Sequence, residues 1–118
     1  MEGVSYVTST VQGPIELLRN ALENQLYRYT DQLAELTGYS RQPDRGGYDD
    51  DTLVAMLAAC RDAVADTTSA LHRMSEGGYG TCERCTASIP LQRLEILPHA
   101  RCCAPCQQIA DRRNRLMP

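Results

Sequence analysis

Two CxxC pairs, Cys82-Glu83-Arg84-Cys85 and Cys103-Ala104-Pro105-Cys106, separated by the 17 residues 86–102, constrain this chain more than any other feature. Each CxxC turn lets both of its sulfurs point at one ion. The stretch between them is long enough to bring the second pair round and complete a tetrahedron. The pattern predicts one structural Zn2+ held by Cys82, Cys85, Cys103 and Cys106. Four protein ligands leave no open position for water or substrate, so the metal staples the chain and does no chemistry. Cys102 adjoins Cys103 and offers a competing CxxxC pairing with Cys106. The CxxC pairing is preferred because it recurs in such sites.

A staple is what this chain needs. With 118 residues, six Tyr and neither Phe nor Trp, it has material for one small domain plus an extension and no large core. The net charge is −3 and every basic residue is Arg. A protein that works by gripping phosphates carries a positive excess, so sequence-specific DNA binding is not expected. Residues 1–13 show neither the basic start nor the apolar run of a secretory leader, and no segment reads as a membrane span. Metal-bound thiolates in a reducing cytoplasmic compartment fit best.

Periodicity organises the rest. Residues 1–13 carry no helical pattern and are expected to be a flexible tail. From Pro14, a residue favoured in a first turn, Ile15, Leu18, Leu22, Leu26, Tyr29, Leu33 and Leu36 recur at gaps of three and four. Gly38 is expected to cap that helix. Residues 38–51 hold Pro, Gly and Asp and read as a turn, with Asp49, Asp50 and Asp51 suited to the start of a second helix. Leu53, Leu57, Cys60, Val64, Thr67, Leu71 and Met74 then form an unbroken heptad seam that Gly77-Gly78 ends. Two helices with one apolar stripe each, joined by a short polar turn, predict an antiparallel coiled-coil hairpin over 14–76. Its arms would be roughly 35 Å long. Cys60 falls on the seam and reads as a small buried hydrophobe. Residues 77–118 follow as a four-cysteine zinc-finger module with a C-terminal helix. The fold class is thus mainly α. Ile89, Leu91, Leu94, Ile96 and Leu97 supply the module's apolar cluster, and Arg112, Arg113 and Arg115 complement the dipole at the end of the last helix. No nucleophile–base pair or acid pair is present, and His72 and His99 read as surface residues, so no enzymatic activity is expected.

Gly78-Tyr79-Gly80-Thr81-Cys82-Glu83-Arg84-Cys85, Ile89-Pro90, Arg93-Leu94-Glu95, Pro98 and Cys103-Ala104-Pro105-Cys106 closely resemble the zinc-finger signature of the DksA/TraR family. The resemblance covers about residues 77–110, and a hairpin ahead of the finger agrees with it. It implies a bacterial transcription regulator that binds RNA polymerase directly. Family members dock the zinc end at the rim of the secondary channel and insert the coiled coil, so that acidic tip residues approach the catalytic centre. In some members this occurs together with ppGpp. A monomer is expected.

The tip departs from the family pattern of an Asp, a second Asp three positions on, and an Ala two beyond that. Asp44-Arg45 matches the second Asp and its neighbour, whereas Arg41 replaces the first Asp and Gly46 replaces the Ala. The candidate partner-binding residues are therefore Arg41, Asp44, Arg45, Asp49, Asp50 and Asp51. Asp49 to Asp51 either compensate for Arg41 or serve only to cap the second helix. The alternative function is a zinc-stabilised protein–protein adaptor without effect on the polymerase active site.

Overall fold

The computed structural model describes residues 2–116, with side chains from 14 to 115. Four helices follow in order: α1 (Glu2–Ser40), α2 (Asp50–Glu76), α3 (Leu91–Ile96) and α4 (Ala104–Leu116). The first two lie against each other as a hairpin, and the molecule measures 56 × 42 × 21 Å. No described helix is long and apolar enough to cross a membrane.

The seam forms where periodicity places it. Leu18, Leu22 and Leu36 of α1 and Leu53, Leu57, Cys60 and Thr67 of α2 are buried. Leu26, Tyr29, Leu33, Val64, Leu71 and Met74 are half-buried. Neither stripe can be shielded by its own helix, and facing each other removes both from water. Polar groups on the seam are satisfied locally. The Thr67 hydroxyl donates to the Ala63 carbonyl at 2.7 Å, and the Cys60 thiol donates to the Tyr29 carbonyl at 3.4 Å. Cys60 is thus the buried hydrophobe that its position implies. Ile15, the first residue of the α1 stripe, is 46% exposed.

Three boundaries differ from expectation. The helix expected to open at Pro14 begins at Glu2, within the stretch expected to be a tail, and Pro14 lies inside it. Proline's φ suits a helix, and inside one it removes a hydrogen bond and crowds the carbonyl four residues earlier, a cost that weakens a helix without forbidding it. Gly38 does not cap α1, which continues to Ser40. Side chains sustain that last turn: the Thr37 hydroxyl donates to Leu33 O at 2.7 Å and the Ser40 hydroxyl to Thr37 O at 2.6 Å. The short helix α3, after Pro90, carries only six residues and has too little periodicity to be read in advance. At the far end of α2 the glycine stop holds. Gly77 adopts φ 85° and its N–H, with that of Gly78, returns to the Arg73 carbonyl.

Two clusters hold the fold at its opposite ends. Near the turn, Leu36, Leu53, Leu57 and Cys60 are packed by Leu33, Tyr39 and Met56. At the base, Leu18 of α1 joins Cys82, Ile89, Leu94 and Ala100 of the cysteine module, with Met74 and Tyr79 against them. Leu91 and Ile96 of α3 and Leu97 just after it, expected in that cluster, are exposed, because α3 buries only the face that carries Leu94.

Candidate metal centre and finger tip

The first cysteine pair sits on a tight hairpin. Thr81 and Ser88 form an antiparallel bridge, Cys82 N donates to Ala87 O at 2.8 Å, and Thr86 N returns to Cys82 O at 3.0 Å. The second pair is placed by α4: Cys103 immediately precedes it and accepts from Gln107 N at 2.9 Å, while Cys106 lies in its first turn. Glu83 N donates to Arg101 O at 2.9 Å and ties the two halves together. The Sγ atoms of Cys82, Cys85, Cys103 and Cys106 all lie within 4.8 Å of one another, and Cys85 and Cys103 are 3.7 Å apart.

That geometry fits zinc. Bonds of about 2.3 Å at tetrahedral angles put sulfurs about 3.8 Å apart. The proton affinities point the same way. The Cys82 thiol is lowered to about 5, first by the backbone N–H of Cys85. Cys106 is pushed up to about 12, first by its hydrogen bond with Cys103 and then by burial. Four sulfurs this close cannot all ionise without a cation, so a proton is retained where a divalent ion would replace it. The quartet therefore suits one structural zinc ion, with Cys82 buried against the module's apolar cluster. Cys102 is half-buried beside the quartet but outside it, and its thiol is raised by burial first.

Polar bonds orient the module on the hairpin. The guanidinium of Arg73, near the end of α2, donates to the carbonyls of His99 and Ala100 at 3.4 and 3.3 Å. Arg101 pairs with Asp66 of α2 at 3.3 Å, and the Tyr79 hydroxyl donates to Pro98 O at 2.8 Å. Arg93 donates to Cys102 O at 3.0 Å. Arg73 and Arg93 thus satisfy backbone carbonyls of the metal loop, roles that their sequence positions do not announce. His72 is exposed beside Glu76 at 2.9 Å, as expected. His99 is not a surface histidine: it is half-buried, and its Nδ1 is buried without a hydrogen-bond partner among the described residues.

The tip is closed by its own backbone and side chains. Arg45, Gly46 and Gly47 form a single 3-10 turn in which all three have positive φ, at 53°, 63° and 90°. The ring of Tyr39 covers Gly46 so closely that a Cβ there would fall 2.6 Å from the ring. Tyr39 also donates to Glu35 at 2.8 Å and meets Tyr48 at 6.1 Å between ring centroids. Arg45 donates to Asp50 at 3.0 Å and to the Ser40 carbonyl, closing α1 onto the start of α2.

The six candidate tip residues therefore separate. Asp49 caps α2, accepting from Thr52 N at 2.7 Å, and this bond lowers its pKa. Asp50 is held by Arg45, and Asp44 accepts from Gly46 N at 3.2 Å. Among the described residues no side-chain hydrogen bond or ion pair engages Arg41 or Asp51, both exposed.

Comparison with known proteins bears on the metal end first. Residues 77–112 match the model of the prokaryotic dksA/traR C4-type zinc finger. An 8.5 kDa uncharacterised protein of Escherichia phage 186 is 31% identical over 62 residues, which is 52% of this chain and 83% of that protein. An uncharacterised protein of Aquifex aeolicus is 42% identical over 45 residues, and general stress protein 16O of Bacillus subtilis is 42% identical over 41 residues. Those stretches cover 38% and 35% of this chain, and the chain spans only 31% and 25% of these two relatives. The hairpin finds its likeness in a solved structure, that of the transcription factor DksA2 from Pseudomonas aeruginosa. It superposes with a TM-score of 0.69 over 88% of both chains at 22% identity, a likeness of fold.

Proposed function

Since the chain belongs to the prokaryotic dksA/traR C4-type zinc-finger family, we propose that it is a transcription regulator that binds RNA polymerase directly, through the secondary channel, and modulates initiation. The observation that carries this reading is the union of two unlike parts. A zinc-stapled module is locked by Arg73, Tyr79 and the Asp66–Arg101 pair to the base of a narrow helical finger. Such a part can seat its module at a rim and extend its finger into a channel. The family consists of regulators, and no enzymatic role is proposed. ppGpp belongs to this reading only as a property of some relatives.

Pull-down with core RNA polymerase tests the reading. Binding at micromolar concentration with a zinc-loaded protein is expected, and failure to bind there overturns it. Once binding is established, initiation assays with Arg41→Asp and Asp44→Asn report whether the tip reaches the reacting centre. One observation favours a second reading, an adaptor that binds protein without acting on the active site. Asp44, Asp49 and Asp50 are occupied in building the turn, which leaves Asp51 and the opposite charge of Arg41 to act. In that case both variants leave initiation unchanged while binding persists.

A further inference from the structure

Five of the six cysteines lie in the module, and the quartet of Cys82, Cys85, Cys103 and Cys106 leaves one of them over. That fifth cysteine, Cys102, is not a stray surface thiol. It is half-buried and packs against the same apolar cluster that receives Cys103 and Cys106. Burial first, then the charge and hydrogen bonding of the Cys82 sulfur, push its thiol up. Its sulfur therefore neighbours a ligand without belonging to the quartet.

The backbone holds it there. Arg93 of α3 donates to the Cys102 carbonyl at 3.0 Å, and Gln107 N donates to the Cys103 carbonyl at 2.9 Å. The chain is thus pinned at both of these neighbouring residues, and two adjacent thiols stand at the edge of a site that needs one. Cys103 is the one ligand of the four with a cysteine next to it in sequence. Counted back from Cys106, Cys103 makes a CxxC pair and Cys102 a CxxxC pair, and both spacings occur among paired ligands of one zinc ion. The difference between four sulfurs and three matters chemically. With three protein ligands the fourth position passes to water, and a closed structural site becomes an open one.

We infer that Cys102 is a reserve zinc ligand: when Cys103 does not bind, Cys102 takes its place beside Cys82, Cys85 and Cys106. Both arrangements set four thiolates on one divalent ion, and the sulfur left out keeps the proton. The charge at the site is the same in each, and no oxidant, reductant or second metal takes part. Loss of Cys103 from the metal then does not open the site to water. This role goes beyond the polymerase reading and does not rest on it.

The test titrates the full chain with Co2+, whose absorption in a tetrahedral site reports how many sulfurs bind it. Wild type and C102S should both give a four-sulfur spectrum. C103S should keep that spectrum, with an affinity within ~10-fold of wild type, the lower end of what altered surroundings cost a metal site. C102S/C103S should lose it and bind ~100-fold or more weakly than C103S, at or beyond the upper end of that range. Alkylation of the zinc-loaded chains, read by mass spectrometry, gives a measure independent of the spectrum. Cys102 should be modified in wild type and lose that modification in C103S, where it becomes as protected as Cys82. If C103S and C102S/C103S are indistinguishable in spectrum and affinity, the inference is overturned. A C102S chain that loses a sulfur from its spectrum overturns it too, because Cys102 would then be a resident ligand. Four-sulfur binding by C103S without dispersed amide signals from residues 79–116 also overturns it, since a loose chain would be gathering any thiol within reach.

Discussion

The two ends of the hairpin solve the same problem with different chemistry. Each must close a helix terminus in a chain with little apolar material. At the base, closure is delegated to a metal: four thiolates, a small cluster around Leu94, and arginines that satisfy carbonyls of the loop. At the tip, closure is done by the backbone and its nearest side chains. These are Asp49 on the first turn of α2, Arg45 across to Ser40 and Asp50, and Tyr39 lying over a glycine. A metal-closed end is conditional on its ion, whereas a cap-closed end assembles without one. On the proposed reading, in which the tip meets a partner, the tip charges are arranged before binding.

Metal removal should break the comparison most sharply. Structural zinc contributes on the order of 10 kcal/mol to modules of this kind. Chelation, or Cys82→Ser, is therefore expected to unfold residues 79–116 as seen by loss of amide dispersion in NMR. Most of the helical circular dichroism should remain, because the seam from Leu22 to Leu53 does not depend on the module. If helicity collapses together with zinc, the two ends are one cooperative unit and the distinction fails.

At the tip the largest effect should come from Gly46→Ala. The new Cβ meets the Tyr39 ring at 2.6 Å, at the ring atom nearest the backbone, so the ring must leave its rotamer. A left-handed Ala adds about 1–2 kcal/mol, and the displaced ring brings the total to about 2–3 kcal/mol. Thermal unfolding of the zinc-loaded protein measures it. In the double variant with Tyr39→Ala the two effects should be less than additive. Full additivity would remove the contact from the account.

These cases also show what the sequence could and could not disclose. The seam and the four ligands were legible because each rests on a repeated spacing: three-and-four for the helices, CxxC for the metal. Gly38 misled because a glycine stop is a permissive signal, overridden by the hydroxyls of Thr37 and Ser40 and by Arg45, seven residues on. The Asp49–Asp51 run was ambiguous for the same reason: capping and partner binding need the same residue types. Only the Thr52 bond and the Arg45 pair tell the three acids apart. The roles of Arg73 and Arg93 could not be read, although Arg93 lies in the family signature, since their partners are carbonyls from distant or irregular backbone, which carry no side-chain identity.

Arg73 gives the next prediction, on the joint between the ends. Arg73→Met keeps the aliphatic stem but leaves the His99 and Ala100 carbonyls without their donor. A cost of about 1–2 kcal/mol is expected for lost hydrogen bonds of this kind. Zinc should stay bound while the module loosens against α2. A spin label near the tip and another in the module would report a broadened distance distribution. An unchanged distribution would leave Tyr79 and Asp66–Arg101 as sufficient, and Arg73 as incidental.

Acid offers the finest separation, because it attacks both ends by different routes. At the base, protons compete with zinc for sulfur, so acid releases the ion. At the tip, Asp49 has its pKa lowered from 3.8 by the Thr52 N–H, so its carboxylate is favoured in the folded state. A depressed carboxyl contributes stability that is complete above the unfolded value of 3.8 and is lost as pH falls through the folded one. Global melting in acid would be dominated by zinc loss, so the tip must be read locally. The Asp49 carboxyl carbon should titrate below 3.8, and exchange of the Thr52 amide should accelerate only once that titration begins. Asp49→Asn keeps an acceptor for the amide but not the charge, so its Thr52 protection should be weaker at neutral pH and no longer fall in acid. If Asp49 titrates at or above 3.8, the cap is not holding the charge, and Asp49 returns to Asp51's company as an acid available to a partner.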